Sequence, residues 1–239
     1  MNKFIFDVDG TLTPSRQKID PEFAIWFELF CMANDVYLVS GSDYAKTQEQ
    51  LGDYLLRWPI FVYSCSGNEK WGKGELISTK EWILPENVRR WMEMKLKHSE
   101  FPLRTGNHIE QRSGCVNFSI VGRGATLGER KLYVEYDSKV QERKQIAQEL
   151  NNLIPELEAR LGGETGIDVY PKGWDKSQII SDFDKTDVLY FFGDKIEPGG
   201  NDWPLAHAIG LQRGGSFHVK DWQDTWDRLK YLKKEKIAA

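Results

Sequence analysis

Sulfur and imidazole are scarce in this 239-residue sequence, which has three cysteines and four histidines. Cys31, Cys65 and Cys115 are odd in number and far apart. They cannot form a disulfide framework and match no zinc spacing, so they read as reduced thiols of a cytoplasmic protein, in or near the core. His98, His108, His207 and His218 show no ligand spacing either. No apolar run approaches the roughly 20 residues that a membrane span requires. Excess positive charge is also lacking: the formal net charge is -4, which argues against nucleic acid or a membrane surface as partner. The N-terminus enters an apolar strand with acids behind it, unlike a signal peptide. Internal repeats and low-complexity tracts are absent.

What is present is a large apolar content, 40% hydrophobic against 28% charged, enough for one large domain or two modest ones. KFIFD reads as a buried strand ending on an acid. FAIWFELFCMAN has helical spacing, VYLV returns to strand, and Ser42 is placed to cap a helix through KTQEQLGDYLL. IFVY is a third strand. This alternation implies a parallel sheet covered on both faces. The pattern then changes. KWGKGELIST looks like a glycine-turned hairpin, ENVRRWMEMKLKHS a helix, and IEQRSGCVNFSIVG alternating strands. A long helix is expected from Glu129 to Leu157, and a strand at GIDVYP. DVLYFF resumes the buried-strand style, and a helix closes the chain from Asp221. The reading is an α/β core made from residues 1–79 and 177–239, interrupted by an inserted α+β domain at 80–176.

In parallel α/β sheets, reactive groups gather beyond the carboxyl ends of the strands. Four segments fall there: DVDGTLT from Asp7, VSGS from Val39, Lys176 in GWDK, and GDKIEPGGND from Gly193. Phosphoryl transfer needs a nucleophile, a proton handler and cations for the phosphoryl oxygens. Asp7 is suited to attack phosphorus, and Asp9 to act as general acid and base. Asp194 and Asp202, with Asp7 and Asp9, offer the hard oxygen ligands that Mg²⁺ prefers. Ser40 and Lys176 are suited to hold the phosphoryl group, and Asn201 to a supporting or substrate contact. GRGATLG imitates a dinucleotide-binding glycine pattern but lacks the surrounding parallel unit, so it is set aside.

These four segments, in order, resemble the motifs of the haloacid dehalogenase superfamily, which implies a Rossmann-like core with an inserted cap. DVDGTLTPSRQ, GSDYAKTQEQLG, DVYPKGWDK and YFFGDKIEPGGND, with the arginine-bearing insert, are similar over most of the chain to eukaryotic-type phosphomannomutases. The resemblance implies that Asp7 is the nucleophile and Asp9 the acid/base. It implies that Arg16, Arg112, Arg123 and Arg130 bind phosphate, with Asn117 and Asp168 near the sugar. It further implies a sugar-phosphate substrate, Mg²⁺, a hexose 1,6-bisphosphate activator, a homodimer formed through the cap, and a place in GDP-mannose biosynthesis. The second phosphate clamp fits a mutase, whose bisphosphate intermediate must turn end for end.

The sequence departs from the family pattern in four places. RNGMLN reads RSGCVN, a usual serine is Gly166, PENG has become SCSGNEKW, and Ser40 stands where glycine is frequent. These changes bear on sugar specificity. The alternatives are a Mg²⁺-dependent sugar-phosphate phosphatase on the same core, and a non-catalytic sugar-phosphate sensor. Arg143 and Arg160 are expected to be solvated on the long helix, without a role.

Overall fold

Strand β1 (Asn2–Asp7) is buried at every position but its first, as a central parallel strand should be. The computed structural model describes residues 1–211 and 214–238, with side chains up to Tyr231. Helix α1 (Pro21–Ala33) starts where Asp20 accepts the N–H groups of Glu22 and Phe23, with proline in the first turn. Next come β2 (Asp35–Val39), α2 (Tyr44–Leu51), α3 (Asp53–Leu56), β3 (Phe61–Ser64) and the hairpin β4 (Glu69–Gly72) and β5 (Glu75–Thr79). The second stretch runs through α4 (Glu86–His98), β6 (Ile109–Arg112), β7 (Cys115–Phe118), α5 (Leu127–Val140), α6 (Glu142–Leu153), β8 (Leu157–Gly162) and β9 (Gly166–Pro171). A 3₁₀ turn at Lys176–Asp182 leads to β10 (Val188–Gly193), α7 (Trp203–Gly210), β11 (Gly214–His218) and α8 (Trp222–Ala238).

The chain divides into two units, one from Met1–Thr79 and from Trp174 onward, the other Lys80–Gly173. The second unit ends at Gly173, short of residue 176, so Lys176 belongs to the first. The seven-stranded sheet of the first unit has the order β11-β10-β1-β2-β3-β4-β5. From β11 to β3 the strands are parallel, with Phe6 beside both Phe192 and Leu38 and Asp7 beside Val39. That register brings Asp7 level with the last residues of its two neighbours. One face of the sheet is covered by aromatic packing around Phe6, Phe27, Phe30 and Phe192, and the other around Ile5, Tyr63, Phe191 and Leu205. In the second unit a four-stranded antiparallel sheet, β6-β7-β9-β8, packs one face on Val88, Met92, Tyr133 and Leu150 of its helices. The aromatic residues of the sequence, Trp82 and Trp91 here and Trp222 and Trp226 in the first unit, pack against these cores.

Several local expectations are corrected. Asp43, not Ser42, caps α2 by accepting the Lys46 N–H, and the expected single helix is broken at Gly52. The helix expected from Glu129 to Leu157 is two helices, α5 and α6, separated by Gln141 in the left-handed conformation. The reason is tertiary. Asp137 accepts from the Arg143 main-chain N–H at 2.9 Å and pairs with its Nε at 2.8 Å, while Arg143 Nη1 donates to the carbonyls of Gly163 and Gly166. Arg143 is therefore a half-buried strut, not a freely solvated side chain. Arg160 lies on β8, a strand that periodicity alone does not reveal, and pairs with Glu158 at 2.6 Å.

Breaking such a largely buried pair strands its partner's charge, at a cost of about 3–5 kcal/mol. Arg143→Ala is accordingly expected to lower the unfolding free energy in urea by about 3 kcal/mol or more. A loss well under 1 kcal/mol would show that water compensates Asp137 freely.

Candidate active site

Three acids converge at the carboxyl ends of β1 and β10. Asp7 ends β1, Asp194 follows β10, and Asp202 precedes α7, and each offers an oxygen within 4.8 Å of the others. Lys176, from the start of the 3₁₀ turn, donates through Nζ to Asp7 Oδ1 and, at 2.6 Å, to Asp202 Oδ1. Thr11 donates to the second oxygen of Asp7 at 3.4 Å, and the Lys195 N–H to the second oxygen of Asp202 at 3.1 Å. Gly10 is compelled here twice over: its φ is +83°, and a Cβ would lie 2.4 Å from Asp194 Oδ2.

Charge in this cluster does not balance. Burial above all, then the Asp202 charge, pushes the Asp7 carboxyl up to about 8, against the opposing pull of Lys176. Burial also raises the Asp194 carboxyl. For Lys176, burial opposes the charged form, but Asp202 and Asp7 outweigh it and the pKa is raised. Lys176, joined only by the exposed Lys195 ammonium 3.5 Å from Asp194 Oδ2, leaves the three carboxylates incompletely compensated. Asp194 Oδ1 is buried without a hydrogen-bond partner. An oxygen-only donor set, surplus negative charge and an unpartnered carboxylate oxygen together fit a hard divalent cation.

The other expected residues of this unit lie around the trio. Asp9 is half-buried, its Oδ1 accepting from the Arg16 main-chain N–H at 2.7 Å and from Gln50 Nε2 at 2.9 Å. Its carboxylate is not in the cluster of three, so the side chains that could together hold a cation here are Asp7, Asp194 and Asp202. The Arg16 side chain is exposed, on a residue with φ of 60°. Ser40 is buried after β2, its Oγ accepting the Ser42 N–H at 3.0 Å. Asn201 is exposed in the loop before α7. Such a site can present a carboxylate to phosphorus, with a separate acid two residues on to handle a proton.

In the second unit, cross-strand register sets Glu110, Asn117, Asp168 and Arg160 in one row across β6-β7-β9-β8. They lie on the sheet face opposite the apolar residues Val116, Ile167 and Val169. Arg112 binds Glu110 Oε2 through Nε at 2.7 Å, and Arg123 Nε lies 3.2 Å from the same oxygen. Asn117 donates to Asp168 at 2.6 Å. Arg130 is mostly buried, 3.4 Å from the exposed Glu164. Gly166 leaves the Asn117–Asp168 pair its room, since a Cβ there would sit 2.5 Å from the Asn117 amide nitrogen. Sequence reasoning passed over Gln50, Glu110 and Arg160. The alternation in IEQR could have placed Glu110 beside Arg112; Gln50 left no local signal.

A family profile described as eukaryotic phosphomannomutase matches residues 30–235. The chain is 35% identical over 241 residues to proteins named Phosphomannomutase 1 from Mus musculus and from Homo sapiens, covering 95% of this chain and 90% of each. It also resembles a solved phosphatase of the haloalkanoate (HAD) superfamily from Bacteroides thetaiotaomicron, with a TM-score of 0.62 at 17% identity over 98% of this chain and 95% of that one. The likeness in structure establishes the HAD fold for the first unit with its inserted second.

The raised Asp7 carboxyl has a consequence for stability. Between the unfolded value near 3.9 and the folded value of about 8, the native state holds a proton that the unfolded chain has lost. This group's contribution therefore falls as pH rises across that window. Without metal, thermal unfolding should occur at a lower temperature at pH 8 than at pH 6, and added Mg²⁺ should raise it more at pH 8, because the cation replaces the proton. Asp7→Asn should abolish the difference. Equal Mg²⁺ shifts at both pH values in the wild-type protein would contradict the protonated resting state.

Proposed function

We propose that this chain, which belongs to the eukaryotic phosphomannomutase family, interconverts mannose 6-phosphate and mannose 1-phosphate through a hexose bisphosphate. The Asp7 carboxylate attacks phosphorus and becomes an aspartyl-phosphate. Asp9 protonates the departing sugar oxygen and later takes the proton of the hydroxyl that reclaims the phosphoryl group. Lys176 and Ser40 stabilise the transferring phosphoryl oxygens. Mg²⁺, when held by Asp7, Asp194 and Asp202, supplies neutralising charge for the buried carboxylates and the phosphoryl oxygens. In the second unit Arg112, Arg123 and Arg130 bind the phosphate that is not reacting, while Asn117 and Asp168 contact sugar hydroxyls; in the first unit the exposed Arg16 is a further phosphate donor. Asn201 supports the loop that carries Asp202.

The observation that carries this reading is the set of guanidinium groups on the second unit. Arg112 pairs with Glu110 and lies 4.0 Å from Asp168, Arg123 approaches the same Glu110 oxygen, and Arg130 lies 3.4 Å from the solvent-exposed Glu164. Three guanidinium groups on this unit can offer a second phosphate charge-assisted hydrogen bonds, a provision that a monophosphatase would not need. The hydrolase alternative draws on likenesses at 11–18% identity, which carry fold alone. The hexose 1,6-bisphosphate serves as activator by phosphorylating Asp7 at the outset. Exposed Leu127, Leu132 and Leu161 support a homodimer formed through the second unit, and three free cysteines support a reducing, cytoplasmic setting.

Phosphorus NMR of the protein with Mg²⁺, mannose 1-phosphate and a trace of hexose bisphosphate should show mannose 6-phosphate accumulating to equilibrium. Orthophosphate alone would favour the hydrolase, and an unchanged spectrum a binding protein. Asp7→Asn should lower turnover by about a thousandfold or more while the protein stays folded.

Replacing Arg123 or Arg130 by alanine removes charge-assisted hydrogen bonds, and should weaken bisphosphate activation by on the order of 10–100-fold. Cleavage of p-nitrophenyl phosphate, which has no second phosphate, should be spared. Equal loss of both activities would contradict the remote clamp.

A further inference from the structure

Gln50 lies in the last turn of α2, is almost completely buried, and sends its amide across to the loop that follows β1. Its Nε2 donates to Asp9 Oδ1 at 2.9 Å and to Thr13 Oγ1 at 3.0 Å. The chemistry of the partners fixes which way this amide faces. A carboxylate oxygen accepts from the amide, and the Thr13 hydroxyl spends its one hydrogen on the Val8 carbonyl, at 3.4 Å. Both acceptors therefore require N–H, and both hydrogens of the Gln50 amide are used. Its carbonyl Oε1 is then left buried without a hydrogen-bond partner. A buried unpaired carbonyl destabilises the fold, so a purely structural role would be served as well by an apolar side chain of the same size.

The loop itself is already held by its backbone. The Val8 carbonyl accepts from the N–H groups of Thr11, Leu12 and Thr13, and the Gly10 N–H donates to Thr13 O at 2.8 Å. What the Gln50 amide adds is directed at Asp9. Both donors to Asp9, Gln50 Nε2 and the Arg16 N–H, converge on the same oxygen, Oδ1. An oxygen that accepts two hydrogen bonds has no lone pair left for a proton, so a proton on Asp9 must sit on Oδ2.

We propose that Gln50 is the positioning residue for Asp9, holding Oδ1 so that Oδ2 alone exchanges the proton with the substrate oxygen. The proposal rests on the acid/base assignment of Asp9. As the P–O bond breaks, the proton on Oδ2 passes to the departing sugar oxygen; in the reverse step Oδ2 takes the proton of the attacking hydroxyl. Misplacement of a reacting group by about 1 Å costs on the order of a hundredfold in rate.

The test compares two leaving groups in four proteins: wild type, Gln50→Leu, Asp9→Asn and the double variant. Mannose 1-phosphate isomerisation requires a protonated leaving oxygen, whereas the nitrophenolate of p-nitrophenyl phosphate departs without a proton. Gln50→Leu should lower kcat for isomerisation by on the order of 10–100-fold with KM within about twofold, and change nitrophenolate release by less than about threefold. In the Asp9→Asn background it should cause no further loss. Gln50→Met, which keeps the side-chain length, should give the same pattern. Equal loss with both substrates, full additivity with Asp9→Asn, or failure of both Gln50 variants to fold would each overturn the proposal. Isomerisation that survives Asp9→Asn would instead overturn the acid/base assignment beneath it, which separates the two failures.

Discussion

The site depends on one ammonium group placed between two buried carboxylates. Lys176 touches both Asp7 and Asp202, and neither acid could be removed from water at that point without it. Yet Asp194 has only the exposed Lys195 ammonium, 3.5 Å from its Oδ2, to offset its charge, and its Oδ1 is buried without a partner. The fold thus stores an electrostatic deficit at the carboxyl ends of its central strands. The parallel register of β1 with β2 and β10 gathers these groups at that end, and Gly10 lets the loop pass close enough to Asp194 to complete the cluster.

The second unit solves a different problem with the same economy of charge. Its sheet turns an apolar face to its own helices and a polar face away from them, and that polar face carries Glu110, Asn117, Asp168 and Arg160 in cross-strand register, with Arg112 two residues on from Glu110. The Asp137–Arg143 strut ties the break between α5 and α6 to the carbonyls of Gly163 and Gly166. Gly166 in turn cedes its side-chain space to Asn117. The departure from the family's usual serine therefore has a steric meaning in this chain: the amide of Asn117 stands where a hydroxyl-bearing side chain would have to go.

Much of this was legible in the amino-acid sequence, and for physical reasons. Buried parallel strands read as continuous apolar runs, so β1 and β10 announce themselves, and acids ending such runs mark the reactive edge. The family resemblance of the quoted motifs was equally plain, and the relatives bear it out. What escaped depends on contacts distant in sequence. The break at Gln141 follows from a carboxylate capping the next helix, in a stretch whose local composition favours helix throughout. Strand β8 has one glycine and alternating charges, and its pairing with β9 decides it. Gln50 is 41 positions from Asp9, and nothing near it in the chain signals a catalytic neighbour. Arg143 and Arg160 looked alike in sequence and became a half-buried strut and a strand residue.

The account stands or falls on Asp7 as the group that carries the phosphoryl moiety. Acid quenching of the enzyme with radiolabelled hexose 1,6-bisphosphate, followed by borohydride reduction and peptide mapping, reads this out. The phosphate label should stay with the acid-quenched protein until reduction releases it as orthophosphate, and the homoserine that reduction makes from a phosphorylated aspartate should stand at position 7 of the mapped peptide. Turnover with the label on another residue, or with no covalent phosphoenzyme at any quench time, would contradict it.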